Sequence, residues 1–172
     1  MVRGKKNPAH VGLPSRLRSA RRLCGLKRRP LAEKAGVAPS TVGDIEMGRQ
    51  IPTVGRVARL ASALSVSAAW LGFAIGDVLT QNPANCDGMG SRLQSVRIER
   101  GLTKAALSRL ANLSPSAFAK IENGGQSGIE VIESLAKVLG VSPAWLAFNQ
   151  GAPVLPRTAR GRTLAQSSTS AD

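Results

Sequence analysis

The sequence predicts an all-α fold of two tandem five-helix units joined by a short linker. Three observations predict it. Leu102 to Gly124, LTKAALSRLANLSPSAFAKIENG, has the pattern of two short helices separated by a tight turn. Leu26 to Gly48, LKRRPLAEKAGVAPSTVGDIEMG, has the same pattern. It is an internal repeat, and it fixes the number of units at two. Each copy is followed by an amphipathic helix and then by a short helix bearing a Trp and a Phe. The expected layout is a flexible basic arm over 1–13, a first unit over 14–76, a linker over 77–90, a second unit over 91–151 and a disordered tail over 152–172.

The elements follow in order. The arm carries Arg3, Lys5 and Lys6 among Gly and Pro. Ser15 to Cys24 is the first helix, with Leu17, Ala20 and Arg21 on one face; its mate, Ser91 to Arg100, repeats this as Leu93, Val96 and Arg97. An arginine on an apolar face needs a partner. Glu46 and Glu122 each follow the apolar Ile of a motif helix, so the expected structural ion pairs are Arg21–Glu46 and Arg97–Glu122. Within the motif, Thr103 caps a helix whose apolar face is Leu107 and Leu110. Gly36 and Asn112 suit the left-handed turn that follows. Ser114 caps the next helix and Pro115 takes its first position, where no N–H is missed. Repeat one has Ala38 in place of that polar cap. Leu31, Val37, Val42 and Ile45 match Leu107, Leu113, Phe118 and Ile121.

The register slips by one residue in the loop beyond, where Pro52 has no counterpart; loops absorb such changes cheaply. Thr53 then caps Val54 to Leu64, and the matching helix carries Ile129, Ile132, Leu135, Ala136 and Leu139 inward. Ser67 and Ser142 cap the last helices, which hold Trp70, Leu71 and Phe73, or Trp145, Leu146 and Phe148. These aromatics read as lids over a small core, the alternative being a dimerisation patch.

Charge bounds the partner. The chain has a formal net charge of +14 and only 3% aromatic residues. The first figure points to a polyanion, and the second disfavours base-stacking single-strand binders. Residues 1–76 hold fourteen Lys or Arg against three Asp or Glu, a net of +11, whereas residues 91–151 carry a net of +3. Cys24 and Cys86 form no ligand-spaced pair, and the N-terminus lacks the apolar core of a secretory signal. The uncharged run Leu60 to Gly76 has three serines and two glycines, too polar for a spanning helix. Catalysis is not expected. His10 is the sole histidine, and there is no tyrosine, phosphate-cradling glycine loop, cofactor motif or metal-ligand set.

With these residues in view, each repeat resembles a helix-turn-helix domain of the Cro/phage-repressor (XRE) family. The residues that carry the resemblance include Arg21, Gly25, Leu26, Leu31, Ala32, Gly36, Ile45, Glu46 and Gly48, with Arg97, Gly101, Leu102, Leu107, Ile121, Glu122 and Gly124 in the second copy. The resemblance implies a lambda-repressor-like bundle whose third helix reads the major groove of double-stranded DNA. It implies phosphate contacts at Arg28 and Lys104; the excess positive charge of repeat one adds Lys27, Arg29 and Arg49 as expected DNA anchors, and Thr103 is a further DNA-binding candidate in repeat two. The resemblance implies base-facing positions at Pro39, Ser40, Thr41, Gly43 and Asp44, and at Pro115, Ser116, Ala117, Ala119 and Lys120. Asp44 departs from expectation, since a carboxylate there faces a negatively charged duplex.

The expected function is therefore a sequence-specific transcriptional regulator, of repressor type, in the cytoplasm and associated with a bacterial or phage nucleoid. Repeat one would anchor and repeat two discriminate. Relatives of this fold bind half-sites about 34 Å apart as symmetric dimers. A stretched fourteen-residue linker reaches at most about 46–50 Å, enough for one chain to act as a pseudo-dimer on two unlike half-sites. A homodimer through the Trp-bearing helices is the other arrangement. The competing reading, to which Asp44 lends weight, is a protein-interaction module of antitoxin or regulator-binding type on the same fold. No ligand domain follows the repeats, so sensing of a small molecule is not expected.

Overall fold

The computed structural model describes residues 9–79 and 82–154. Arg3, Lys5 and Lys6 of the basic arm, and the tail beyond 154, lie outside the described residues. Each repeat contributes five helices. The first has α1 (Leu13–Leu23), α2 (Arg28–Ala35), α3 (Pro39–Glu46), α4 (Val54–Leu64) and α5 (Ala68–Phe73); the second has α6 (Met89–Glu99), α7 (Lys104–Leu110), α8 (Pro115–Glu122), α9 (Ile129–Leu139) and α10 (Pro143–Phe148). There is no strand among the described residues.

Local chemistry sets the helix ends. Thr53 Oγ1 accepts from Arg56 N, Ser67 Oγ from Trp70 N and Ser142 Oγ from Trp145 N, each satisfying one orphan donor of a first turn. The apolar faces of α1 to α5 close on Leu17, Leu31, Val42, Ile45, Val57, Leu60 and Leu71. Those of α6 to α10 close on Leu93, Leu107, Phe118, Ile132, Leu135 and Leu146. Leu110, expected inside, is 60% exposed. Its counterpart in repeat one is Lys34, so the position belongs to the solvent face in both copies.

Residues 9–12 form a short 3-10 turn rather than free arm, and α1 and α6 each begin two residues before the helix starts read from sequence. An arginine explains both extensions. Arg16 donates from Nε to Leu71 O and from Nη2 to Gly72 O and Ala9 O, tying the turn to the end of α5. Arg92 repeats this on Leu146 O, Ala147 O and Asn85 O.

The repeats are not strung on a loose tether. Their buried residues form one contiguous cluster. Phe73 and Phe148, both fully buried, meet with ring centroids 5.8 Å apart. Val54 N donates to Ser127 O at 2.9 Å, and Ile129 N donates to Pro52 O at 3.2 Å. Residue 54 is equivalent to 129, and 52 to 127; the one-residue slip therefore lies before Pro52, which does have a counterpart, Ser127, contrary to the expectation from sequence. The same equivalence makes the two bonds reciprocal. That is the signature of an isologous, two-fold-like interface, here within one chain. The segment between the repeats is folded onto it: Val78 O accepts from Ser67 N, Asn85 N donates to Phe148 O, and Ala84 and Cys86 pack on the core. The terminal helices proposed for a homodimer, α5 and α10, are thus mated to each other. Trp70 and Trp145 are half-buried beside that contact, while Phe73 and Phe148 form its centre.

Candidate nucleic-acid interface

The interface is built from α2–turn–α3 and α7–turn–α8. In repeat one the chain reverses at Gly36, whose φ of 60° is the left-handed value a side chain disfavours. In repeat two Asn112 takes the same turn at φ 57°. Thr103 Oγ1 accepts from Ala106 N at 3.1 Å and Ser114 Oγ from Ala117 N at 3.2 Å, so α7 and α8 are both capped. Ala38 gives α3 no such bond, and α2 likewise begins without one, after Lys27.

Each motif is pinned by one buried carboxylate that serves two cations. Glu46 accepts from Arg21 Nε at 2.5 Å and from Arg28 Nε at 2.8 Å. Arg21 also donates to Leu26 O, and Arg18 reaches the Glu46 carbonyl at 2.8 Å. Glu122 accepts from Arg97 Nε at 2.6 Å and stands 2.9 Å from Lys104 Nζ in an ion-pair contact; Arg97 reaches Leu102 O. Burial pushes both carboxyls up. Hydrogen bonds and charge from Arg21 and Arg28, or from Arg97 and Lys104, outweigh it and hold both below the ordinary carboxylate value. Arg28 and Lys104 remain about half exposed, at 47% and 55% of their side chains. Each therefore has one side on the carboxylate and free donors toward solvent.

The remaining sequence-chosen residues fall into two groups. Lys27, Arg29, Pro39, Ser40 and Arg49 are exposed in repeat one, as are Thr103, Pro115, Ser116, Ala117 and Lys120 in repeat two. Thr41 and Gly43 are buried and offer no free side-chain surface; a Cβ at Gly43 would meet Met47 and Arg28. Ala119 is half-buried. Asp44 is half-buried too, with Arg49 Nη1 at 3.9 Å, so the unexpected negative charge has a cation beside it. Arg29 is turned to Glu33 at 3.0 Å on the exposed side of α2.

A family model described as Helix-turn-helix matches residues 17–71 and again residues 93–146. The chain belongs to the Cro/C1-type helix-turn-helix family. The matches span α1 to α5 and α6 to α10 almost in full, and so cover both motifs. Among curated proteins the chain is similar to the HTH-type transcriptional regulator PrtR of Pseudomonas aeruginosa, 32% identical over 77 residues. That stretch is 45% of this chain and 29% of the relative, so the chain covers less than a third of that protein's length. No solved structure matches the chain. Membership of the helix-turn-helix family supports a DNA-binding regulator. No helix among the described residues is long and apolar enough to cross a membrane.

Two residues at the motif went unread in the sequence. Arg18 ties α1 to the end of α3 through a backbone carbonyl, and a backbone acceptor leaves no pattern in residue types. Met47 is 45% exposed at the end of α3, covering the gap that Gly43 leaves. A glycine one turn before a long flexible side chain was the available signal.

Proposed function

We propose that this chain is a sequence-specific, double-stranded-DNA-binding transcriptional repressor that works as a single-chain pseudo-dimer. In this reading α3 and α8 enter successive major grooves, and occupancy of a promoter excludes polymerase. The supporting observation is the reciprocal pair of bonds between residues 52–54 and 127–129. A two-fold-like relation keeps equivalent helices at equal distance from its axis, as a two-half-site operator requires. The spacing of the half-sites is then set by a packed interface and not by linker reach.

Repeat one carries the phosphate attraction through Lys27, Arg28, Arg29 and Arg49. Repeat two discriminates through Ser116, Ala117 and Lys120, with Lys104 on the backbone. Selection of bound sequences from random DNA tests this, followed by affinity at several salt concentrations. The expected site has two unlike halves at one fixed spacing. Arg28→Ala should weaken binding to all sequences and lower the salt slope by about 1, whereas Lys120→Ala should relax preference at one position. Selection of a perfect palindrome, or Lys120→Ala leaving preference intact while Arg28→Ala abolishes it, would overturn the assignment. Affinity unchanged by salt would instead favour the protein-interaction reading for which Asp44 speaks.

A further inference from the structure

The two-fold relation between the repeats is broken where each N-terminal turn meets the opposite repeat. On one side, the turn Ala9–Gly12 is clasped to α9. Glu133 accepts from Ala9 N at 2.7 Å, from His10 N at 3.3 Å and from His10 Nδ1 at 2.6 Å. On the other side, the residues equivalent to His10 and Glu133 are Cys86 and Ala58. Neither can make the clasp. The shorter side chains leave a groove of about 800 Å³ between α4 and the segment that leads into α6. A second hollow of about 450 Å³ shares Ala58, Arg59, Pro83 and Ala84 with it and prolongs it along α4 to Val66.

The lining is cationic at one end and apolar along its floor. Arg56 and Arg59 stand three residues apart on α4 and so share a face of the helix. Arg59 spends one N–H on Gly36 O at 2.9 Å. The Arg56 guanidinium has no hydrogen bond or ion pair among the described residues. Asp87 is the one carboxylate in the described lining, against these two cations. Gln126 accepts from Gly55 N through Oε1, which leaves its amide N–H groups unused there. Along α4 the floor offers Ala58, Ala61 and Val66, with the polar Ser62, Ser65 and Gln150 beside them.

We propose that this groove binds a small organic anion. Its head group, a carboxylate or a phosphate, sits on Arg56 and Arg59, and its apolar body lies along α4. Through Arg59 and Gly36 O the groove touches the turn that leads into α3, and the proposal does not depend on the DNA-binding reading. One wall belongs to repeat one and the other leads into repeat two, so an occupant bridges both. No sequence pattern marks such a site, because its walls are brought together only by the interface.

The test is a heteronuclear NMR titration of the full chain with benzoate, with phenyl phosphate and with neutral benzyl alcohol. Saturable shifts at the Ala58, Arg59 and Ala84 amides are expected with at least one acid and not with the alcohol. The tighter acid identifies the head group. Arg56→Gln should weaken that binding by at least about tenfold, the loss of a charge-assisted hydrogen bond. Ala58→Glu with Cys86→His copies the His10–Glu133 clasp into the groove and should abolish binding. Silence with both acids, an equal response to benzyl alcohol, or shifts indifferent to Arg56→Gln would each overturn the proposal.

Discussion

Phe148→Ala asks whether the two repeats fold as one body. The Phe148 ring is fully buried and lies against Phe73 of the other repeat at 5.8 Å, tilted by 43°. Truncating a fully buried Phe costs about 3–5 kcal/mol. Of that, the aromatic pair accounts for about 0.5–1.5 kcal/mol. Whole domains are stable by only about 5–15 kcal/mol, so the change is large. The chain carries one tryptophan per repeat, Trp70 and Trp145. Trp145→Phe and Trp70→Phe therefore isolate a fluorescence reporter for each. In urea both reporters are expected to trace one coincident transition, the mark of a single cooperative unit. With a slope near 2 kcal/mol per molar urea, Phe148→Ala should lower both midpoints by about 1.5–2.5 M. Two separate transitions in the parent would refute the argument. So would a Phe148→Ala variant whose Trp70 midpoint does not move.

Two further outcomes follow from the motifs. Glu46 and Glu122 are held below the ordinary carboxylate value, so the unfolded chain binds more protons than the native one as pH falls below about 4.3. Their contribution is complete above that value and is lost as pH drops through the depressed native values. Glu46→Gln and Glu122→Gln should flatten the acid limb of the stability–pH curve, measured by urea midpoint at each pH, and an unchanged limb would contradict the assignment. Ala38 leaves α3 without the side-chain cap that Ser114 gives α8. Ala38→Ser should therefore stabilise the chain by about 1 kcal/mol, read in the same urea assay, and a loss of stability would mean the backbone there cannot accept the cap.

What was legible in the sequence is what local rules encode. The turn at Gly36 and Asn112, the caps at Thr103 and Ser114, and the arginines facing Glu46 and Glu122 each follow from a few neighbouring residues or from one side chain's need for a partner. The misread Leu110 shows the limit of a single copy. An i, i+3 pair of leucines looks like a face, but Lys34 at the equivalent place already marked it as solvent-facing. Thr41 and Gly43 are base-facing by position in the motif, yet both are buried, and at Gly43 the neighbours that fill the space are Met47 and Arg28. The interface between repeats was not legible. It is made by reciprocal backbone bonds at Pro52 to Val54 and Ser127 to Ile129, by the His10–Glu133 clasp and by Gln150, none of which has a periodic pattern. A faint signal was present in the register: Gly12 and Arg16 recur as Gly88 and Arg92, so each repeat begins before the helix that seemed to open it.

Gln150 shows what joining two copies makes possible. Its Oε1 accepts from Ala69 N and Ser67 Oγ, and its Nε2 donates to Asn82 O, so one amide stitches the end of the second repeat to the first. The matching residue in the first repeat is Ile75, whose hydrocarbon side chain packs on the core and can make no such bonds. Between two separate, identical molecules every substitution at the seam is felt twice, and a residue suited to one edge is forced on the other. A fused pair escapes that doubling. Each edge can be tuned alone, and the halves have ceased to be interchangeable parts.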